Sequence, residues 1–144
     1  MLNVSVSHSS KGVSKKFEQA HRKWLKDGAS VGFAQSQELA PQDRGTLLQS
    51  GFPPEVQNQD IVWGYAGPSY ILPMERGTDP FWPPAKPLVE WAERVAGDPS
   101  LGYATQHKIA KEGLEGREFV AGGAEAQAQW YKNNDFGDYL ERRL

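Results

Sequence analysis

Between Gly77 and Pro87 the chain sets Pro80, Pro83, Pro84 and Pro87 around Phe81 and Trp82, and Trp91 follows a few residues on. Proline fixes φ and has no backbone N–H, so this stretch can be neither the interior of a helix nor a central strand. It must be a stiff, proline-rich loop carrying large aromatics. The other elements have to be arranged on either side of it.

Before the loop, Leu2, Val4 and Val6 alternate with Asn3, Ser5 and Ser7, which predicts a short strand with one buried face. Ser9, Ser10 and Gly12 break it. Val13, Phe17, Ala20 and Trp24 then recur at helical spacing, with Lys15, Lys16, Glu18, Arg22 and Lys23 on the opposite face. Gly28 stands where a glycine would end that helix. Residues 33–39 continue it or form a second helix, stopping before Pro41. A turn over 40–45 leads to a strand candidate at 46–52, and Pro53, Pro54 and Asn58 mark a hairpin-like connection. Residues 60–66, with Ile61, Val62, Trp63 and Tyr65, form the clearest strand by composition. Residues 70–74 suit a short strand or a helical turn.

After the loop, Leu88, Trp91, Ala92 and Val95 predict a helix ending near Gly97, and residues 99–111 predict another. Gly113 to Gly116 breaks the chain, Phe119 and Val120 suggest a short strand, and 124–130 has helix-forming composition. The charged tail, residues 135–144, is a helical or mobile segment and a candidate for docking. No repeat or linker interrupts the 144 residues, so the expectation is one α+β domain, 1–144. Its small antiparallel sheet, of about four strands, packs against helices.

Composition narrows the function. A chain of this length buries roughly 70% of its unfolded surface and needs no staple. It has no cysteine, which removes disulfides, thiolate metal sites and cysteine nucleophiles. Sixteen basic residues against eighteen acidic ones give a net charge of −2, without the basic excess of a tight DNA binder. No apolar run reaches the ~20 residues of a membrane span. Residues 1–5 show no basic stretch leading into an apolar core, so folding in the cytoplasm is expected.

Catalytic groups are sparse. His8, His21 and His107 include no pair three or four apart, so a metal-binding helix face is absent, and solvated or packing roles are expected. Glu75 and Asp79 flank a glycine in the manner of an acid/base pair. The simpler expectation is that Glu75 ties down the adjacent loop and Asp79 starts a turn before Pro80. No P-loop or nucleophile elbow is present. Phe81, Trp82 and Trp91 fit a sugar- or base-stacking platform, but core or subunit interface is the commoner use. No catalytic, cofactor or metal residue is therefore assigned.

One pattern is more specific. Ala40-Pro41-Gln42-Asp43-Arg44-Gly45-Thr46-Leu47-Leu48-Gln49-Ser50 is followed by a strand, then Tyr70, Glu75, Gly77 and Thr78. Next come Phe81-Trp82-Pro83-Pro84 and the helix at Trp91, and finally Ile109-Ala110-Lys111, Gly113 and Phe119. This order, over residues 40–120, resembles the neck, tail-completion or tail-terminator subunits of long-tailed phages. It departs at Arg44, where threonine is usual, at Leu48, where a basic residue is common, and in a longer 70–78 segment.

The resemblance implies a structural virion protein, not an enzyme and without cofactors. It implies a homo-oligomeric ring, most often six-fold, at the head–tail junction. The ring would complete or terminate the tail, meet a head-side connector or stopper and the tail tube protein, and let DNA pass. Pro41, Asp43, Gly45, Leu47, Ser50, Tyr70, Glu75, Gly77, Thr78, Pro83, Pro84, Trp91, Ile109, Gly113 and Phe119 would be its structural motif residues. Met74, Phe81 and Trp82 are candidates for subunit contacts by composition and loop position. A head-side adaptor of the same neck is the near alternative. A small carbohydrate-active hydrolase, with Glu75 and Asp79 in an open cleft, and a monomeric binding module are the distant ones.

Overall fold

The computed structural model describes residues 2–7, 14–41, 45–67 and 71–143. Three strands form the main sheet: β1 (Leu2–Ser7), β2 (Gly51–Gln57) and β3 (Asp60–Tyr65). β3 is central and runs antiparallel to both neighbours, in the order β1-β3-β2. Its register sets Leu2 opposite Tyr65, Val4 opposite Trp63 and Val6 opposite Ile61. The apolar residues of β1 thus join those of β3 on one face, as the alternation predicts. That face carries the core, where Ile61, Trp63 and Tyr65 cluster with Leu25, Ala29, Leu47, Ile71, Phe119 and Val120.

Two long helices cover the core, α1 (Lys15–Leu39) and α6 (Phe119–Asn133). Ser14 caps α1 by accepting a hydrogen bond from the Phe17 N–H at 3.3 Å. Gly28 does not end this helix but lies inside it, because a side chain there would collide with the Tyr131 ring. The buried stripe of α1 is Leu25, Gly28, Ala29, Gly32 and Ser36. Its small residues bring α6 to backbone distance: a Cβ on Gly123 would sit 2.5 Å from the Gly32 carbonyl oxygen. The polar side chains at this crossing bond to one another. Trp63 donates to Gln127 Oε1 at 2.7 Å, Gln37 donates to Tyr65 Oη at 2.7 Å, and Tyr131 donates to the Leu25 carbonyl at 2.5 Å. Ser36 Oγ and Tyr65 Oη are 2.8 Å apart. Burial raises both phenols, that of Tyr131 to about 12.

Several local expectations give way to tertiary context. Residues 46–49 are a helical turn, α2 (Thr46–Gln49), and not a strand. Pro53 and Pro54 lie within β2, where an edge position and a register shift between Phe52 and Glu55 accommodate them. The reversal to β3 falls at Asn58, in a left-handed conformation with φ 59°. Phe119 and Val120 open α6 instead of forming a strand. The tail forms a helix, α7 (Phe136–Arg143), that docks on α1. Phe136 packs its ring 4.9 Å from His21, 5.3 Å from Phe17 and 5.4 Å from Trp24. Tyr139 donates to Asp27 at 2.8 Å. His21 thus belongs to an aromatic cluster.

The remaining elements lie between β3 and α6. They are α3 (Ile71–Arg76), β4 (Gly77–Thr78), α4 (Ala85–Ala96), α5 (Ser100–Glu112) and β5 (Leu114–Glu115). β4 and β5 pair antiparallel as a second, two-stranded sheet, so the described strands number five in two sheets. The class is α+β, with a small antiparallel sheet packed on helices, as expected.

Candidate functional site

The chain between β4 and β5 leaves the sheet as a helical hairpin. α4 and α5 pack chiefly on each other. Gly102 lets them approach, since a Cβ there would lie 2.5 Å from the Val89 backbone. Ala92 and Ile109 are buried between them and are not part of the main core cluster. Gly97 ends α4 in the left-handed conformation, as the sequence predicts. The stem is short, two residues in each strand, and the hairpin forms an arm on that stem.

The root of the arm is heavily tied. Glu75 is buried, at 7% exposure, and both its carboxylate oxygens accept backbone N–H bonds at 2.8 Å, from Val120 and Ala121. It therefore caps α6, where an anion meets the positive end of the helix. The Arg117 N–H donates to the Met74 carbonyl at 2.8 Å and the Glu118 N–H to the Glu75 carbonyl at 3.0 Å. Thr78 Oγ1 accepts from the Leu114 N–H at 3.1 Å. Gly77 and Gly113 both hold positive φ, and a Cβ at either would strike the opposing backbone. Glu75, Gly77, Thr78, Gly113 and Phe119, up to 44 positions apart in sequence (119 − 75), thus meet at one place.

Other motif residues are spread through the fold. Gly45 precedes α2 at φ 78°, Leu47 is in the core, and Ser50 Oγ donates to the Leu47 carbonyl at 2.6 Å. Pro41 is half-buried just beyond α1. Ile109 is buried in the arm, and Trp91 is half-buried there. Asp43 and Tyr70 lie outside the described residues. Pro83 is buried, and its carbonyl accepts from Gln106 Nε2 at 2.8 Å. Pro84 stands directly before α4, so the loop ends there and not at Pro87, which lies in the first turn of the helix, where no intrahelical partner for its backbone nitrogen is needed.

The three candidate contact residues part company. Met74 packs against the main core, half-buried. Phe81 and Trp82 lie exposed on the loop, Trp82 at 62%. Trp82 meets His107 edge-on, with ring centroids 5.2 Å apart. Tyr103, one turn before His107 on α5, is also exposed, as are Leu101 and Val95. Composition and loop position single out Phe81 and Trp82 but not Val95, Leu101 and Tyr103, which are exposed as well. The helical stripe ending at Val95 was visible, but its lack of a partner was not.

Glu75 faces the α6 N-terminus and not an open cleft, while Asp79 is exposed just beyond β4. Among the described residues, no three His, Asp or Glu are grouped to hold a metal ion, and no helix is long and apolar enough to cross a membrane. In comparisons with protein-family models, with curated proteins and with solved structures, none matched this chain.

Proposed function

We propose that the chain is a structural subunit of a tailed-virus neck, closing with copies of itself into a ring that completes or terminates the tail. The observation that carries this proposal is the arm. A single chain leaves Phe81, Trp82, Val95, Leu101 and Tyr103 uncovered on an element that packs chiefly on itself. Aromatics held on a rigid loop are typical of subunit contacts. The meeting of five motif residues, Glu75, Gly77, Thr78, Gly113 and Phe119, at the arm's root adds support, since together they hold the arm in place. A net charge of −2 suits a ring through which DNA passes without being held. Ring contacts would be heterologous, arm against neighbour, and the copy number implied by the resemblance is six.

Light scattering over a concentration range, followed by negative-stain imaging, tests this. Rings with a hole wide enough for a duplex of about 20 Å are the expected result. Trp82→Ala should abolish them while leaving the monomer folded. A chain that stays monomeric and is missing from purified virions would refute the proposal.

A further inference from the structure

Away from the arm, the middle of α1 and the β2–β3 hairpin border an open cavity of about 330 Å³. Its α1 wall is Arg22, Lys23, Lys26, Asp27 and Ser30, and Val56 and Ile61 supply an apolar side. Arg22, Lys26 and Ser30 recur every four residues and so share one helix face. The single carboxylate in the wall is already engaged. Asp27 Oδ1 meets Lys23 Nζ at 2.9 Å, and its Oδ2 accepts from the Tyr139 hydroxyl at 2.8 Å. Ser30 Oγ donates to the Lys26 carbonyl at 2.9 Å. Among the described residues, neither Arg22 nor Lys26 has an ion-pair partner. Arg22 Nε is buried and has no hydrogen-bond partner among the described residues.

A buried guanidinium nitrogen without an acceptor is rare and costly, so this half-buried guanidinium gains from any acceptor that meets it at the cavity. We infer that this cavity binds the glutamate carboxylate of an acidic segment of another protein chain. The Arg22 guanidinium offers a planar fork that matches a carboxylate, and Lys26 adds a second, movable donor. The exposed Val56, with Ile61 buried behind it, would lie against the aliphatic stem of the glutamate. That apolar side favours a side-chain carboxylate over a phosphodiester, which has no apolar stem to cover it. The inference stands on the cavity alone and does not depend on ring formation.

Fluorescence anisotropy of a labelled oligoglutamate peptide with the intact chain at low salt tests it. The wild type should bind, and oligoglutamine should not. Arg22→Gln should weaken binding by about tenfold, with a further loss in Arg22→Gln/Lys26→Gln. Lys108→Gln/Lys111→Gln on α5 makes the same charge change as the double variant and should bind as the wild type does. An equal loss in that control would mean diffuse attraction and overturn the site, as would no binding by the wild type. Displacement of the peptide by inorganic phosphate as readily as by glutarate would overturn the preference for a carboxylate on an aliphatic stem. Without peptide, Arg22→Met should melt at or above the wild-type temperature, because it removes an unsatisfied buried donor. A clear fall would show that the guanidinium is already satisfied within the fold, and the proposal would fail.

Discussion

Gly122 and Gly123 are neighbours on α6, yet alanine at each should shift stability in opposite directions. Both substitutions gain helix propensity, about 1 kcal/mol. At Gly123 the new Cβ would stand 2.5 Å from the Gly32 carbonyl oxygen, 2.7 Å from Trp63 Cη2 and 2.8 Å from Ser36 Cβ. The first neighbour is helix backbone. Trp63 and Ser36 are fully buried and hydrogen-bonded to Gln127 and Tyr65. None yields cheaply, so α1 and α6 must separate. Overpacking of a well-packed site costs about 1–3 kcal/mol, and three rigid neighbours place this one near the top. The net loss is then about 2 kcal/mol, or a fall in Tm of roughly 4–8 °C. At Gly122 the new Cβ would meet Leu39 Cδ1, the tip of an exposed side chain, and then Leu39 Cγ at 3.9 Å. A rotamer change that costs about 0.5–1 kcal/mol clears it, so Gly122→Ala should be neutral or slightly stabilising. Thermal and urea unfolding followed by circular dichroism would measure both. A Gly123→Ala protein as stable as Gly122→Ala would refute the backbone-distance crossing of the two helices.

Glu75→Gln leaves one acceptor oxygen for two helix N–H groups and should cost about 1–3 kcal/mol by urea unfolding. Burial holds the Tyr131 phenol at about 12, above its ordinary 10.0, with Asp27 adding to the rise and the Gln127 hydrogen bond opposing it. A folded pKa above the unfolded one gives stability that is fully present below pH 10 and is lost as pH rises towards about 12. Tyr131→Phe should therefore flatten the alkaline side of a Tm–pH profile. Gln106→Leu removes the donor to the Pro83 carbonyl and should loosen the aromatic loop, speeding chymotryptic cleavage after Phe81 with little change in Tm.

What could be read in the sequence was set by local chemistry. The alternation in residues 2–7, the β-rich run at 60–65 and the Gly97 cap each act within a few residues, and each was recovered. The errors came where a distant partner decided the outcome. Gly28 looks like a helix end until Tyr131, over a hundred residues on, fills the space a side chain would need. Phe119 and Val120 look β-like until Glu75 caps the helix they begin. Pro53 and Pro54 look like a turn until β2 proves to be an edge strand with a bulge. The cavity on α1 was hidden for the same reason. Arg22 and Lys23 read as part of the polar face of the helix, and only the approach of the β2–β3 hairpin makes them, with Lys26, the wall of a cavity.

The root of the arm explains how so short a stem can hold a helical hairpin. Two residues per strand would make a weak ladder if they stood alone. Here Gly77 and Gly113 seat the two backbones closely, and the Met74 and Glu75 carbonyls receive the chain as it returns at Arg117 and Glu118. The Glu75 carboxylate then fixes the first turn of α6, the main partner of α1. Arm and core are thereby clamped through one buried side chain. Pro83 and Pro84 stiffen the far end of the loop, and Gln106 pins it to α5. A surface held in this way loses little conformational freedom when it is covered, so more of its apolar contact energy remains for association. That economy would suit the repeated subunit contact proposed above, to which Glu75 would contribute by holding the arm to α6.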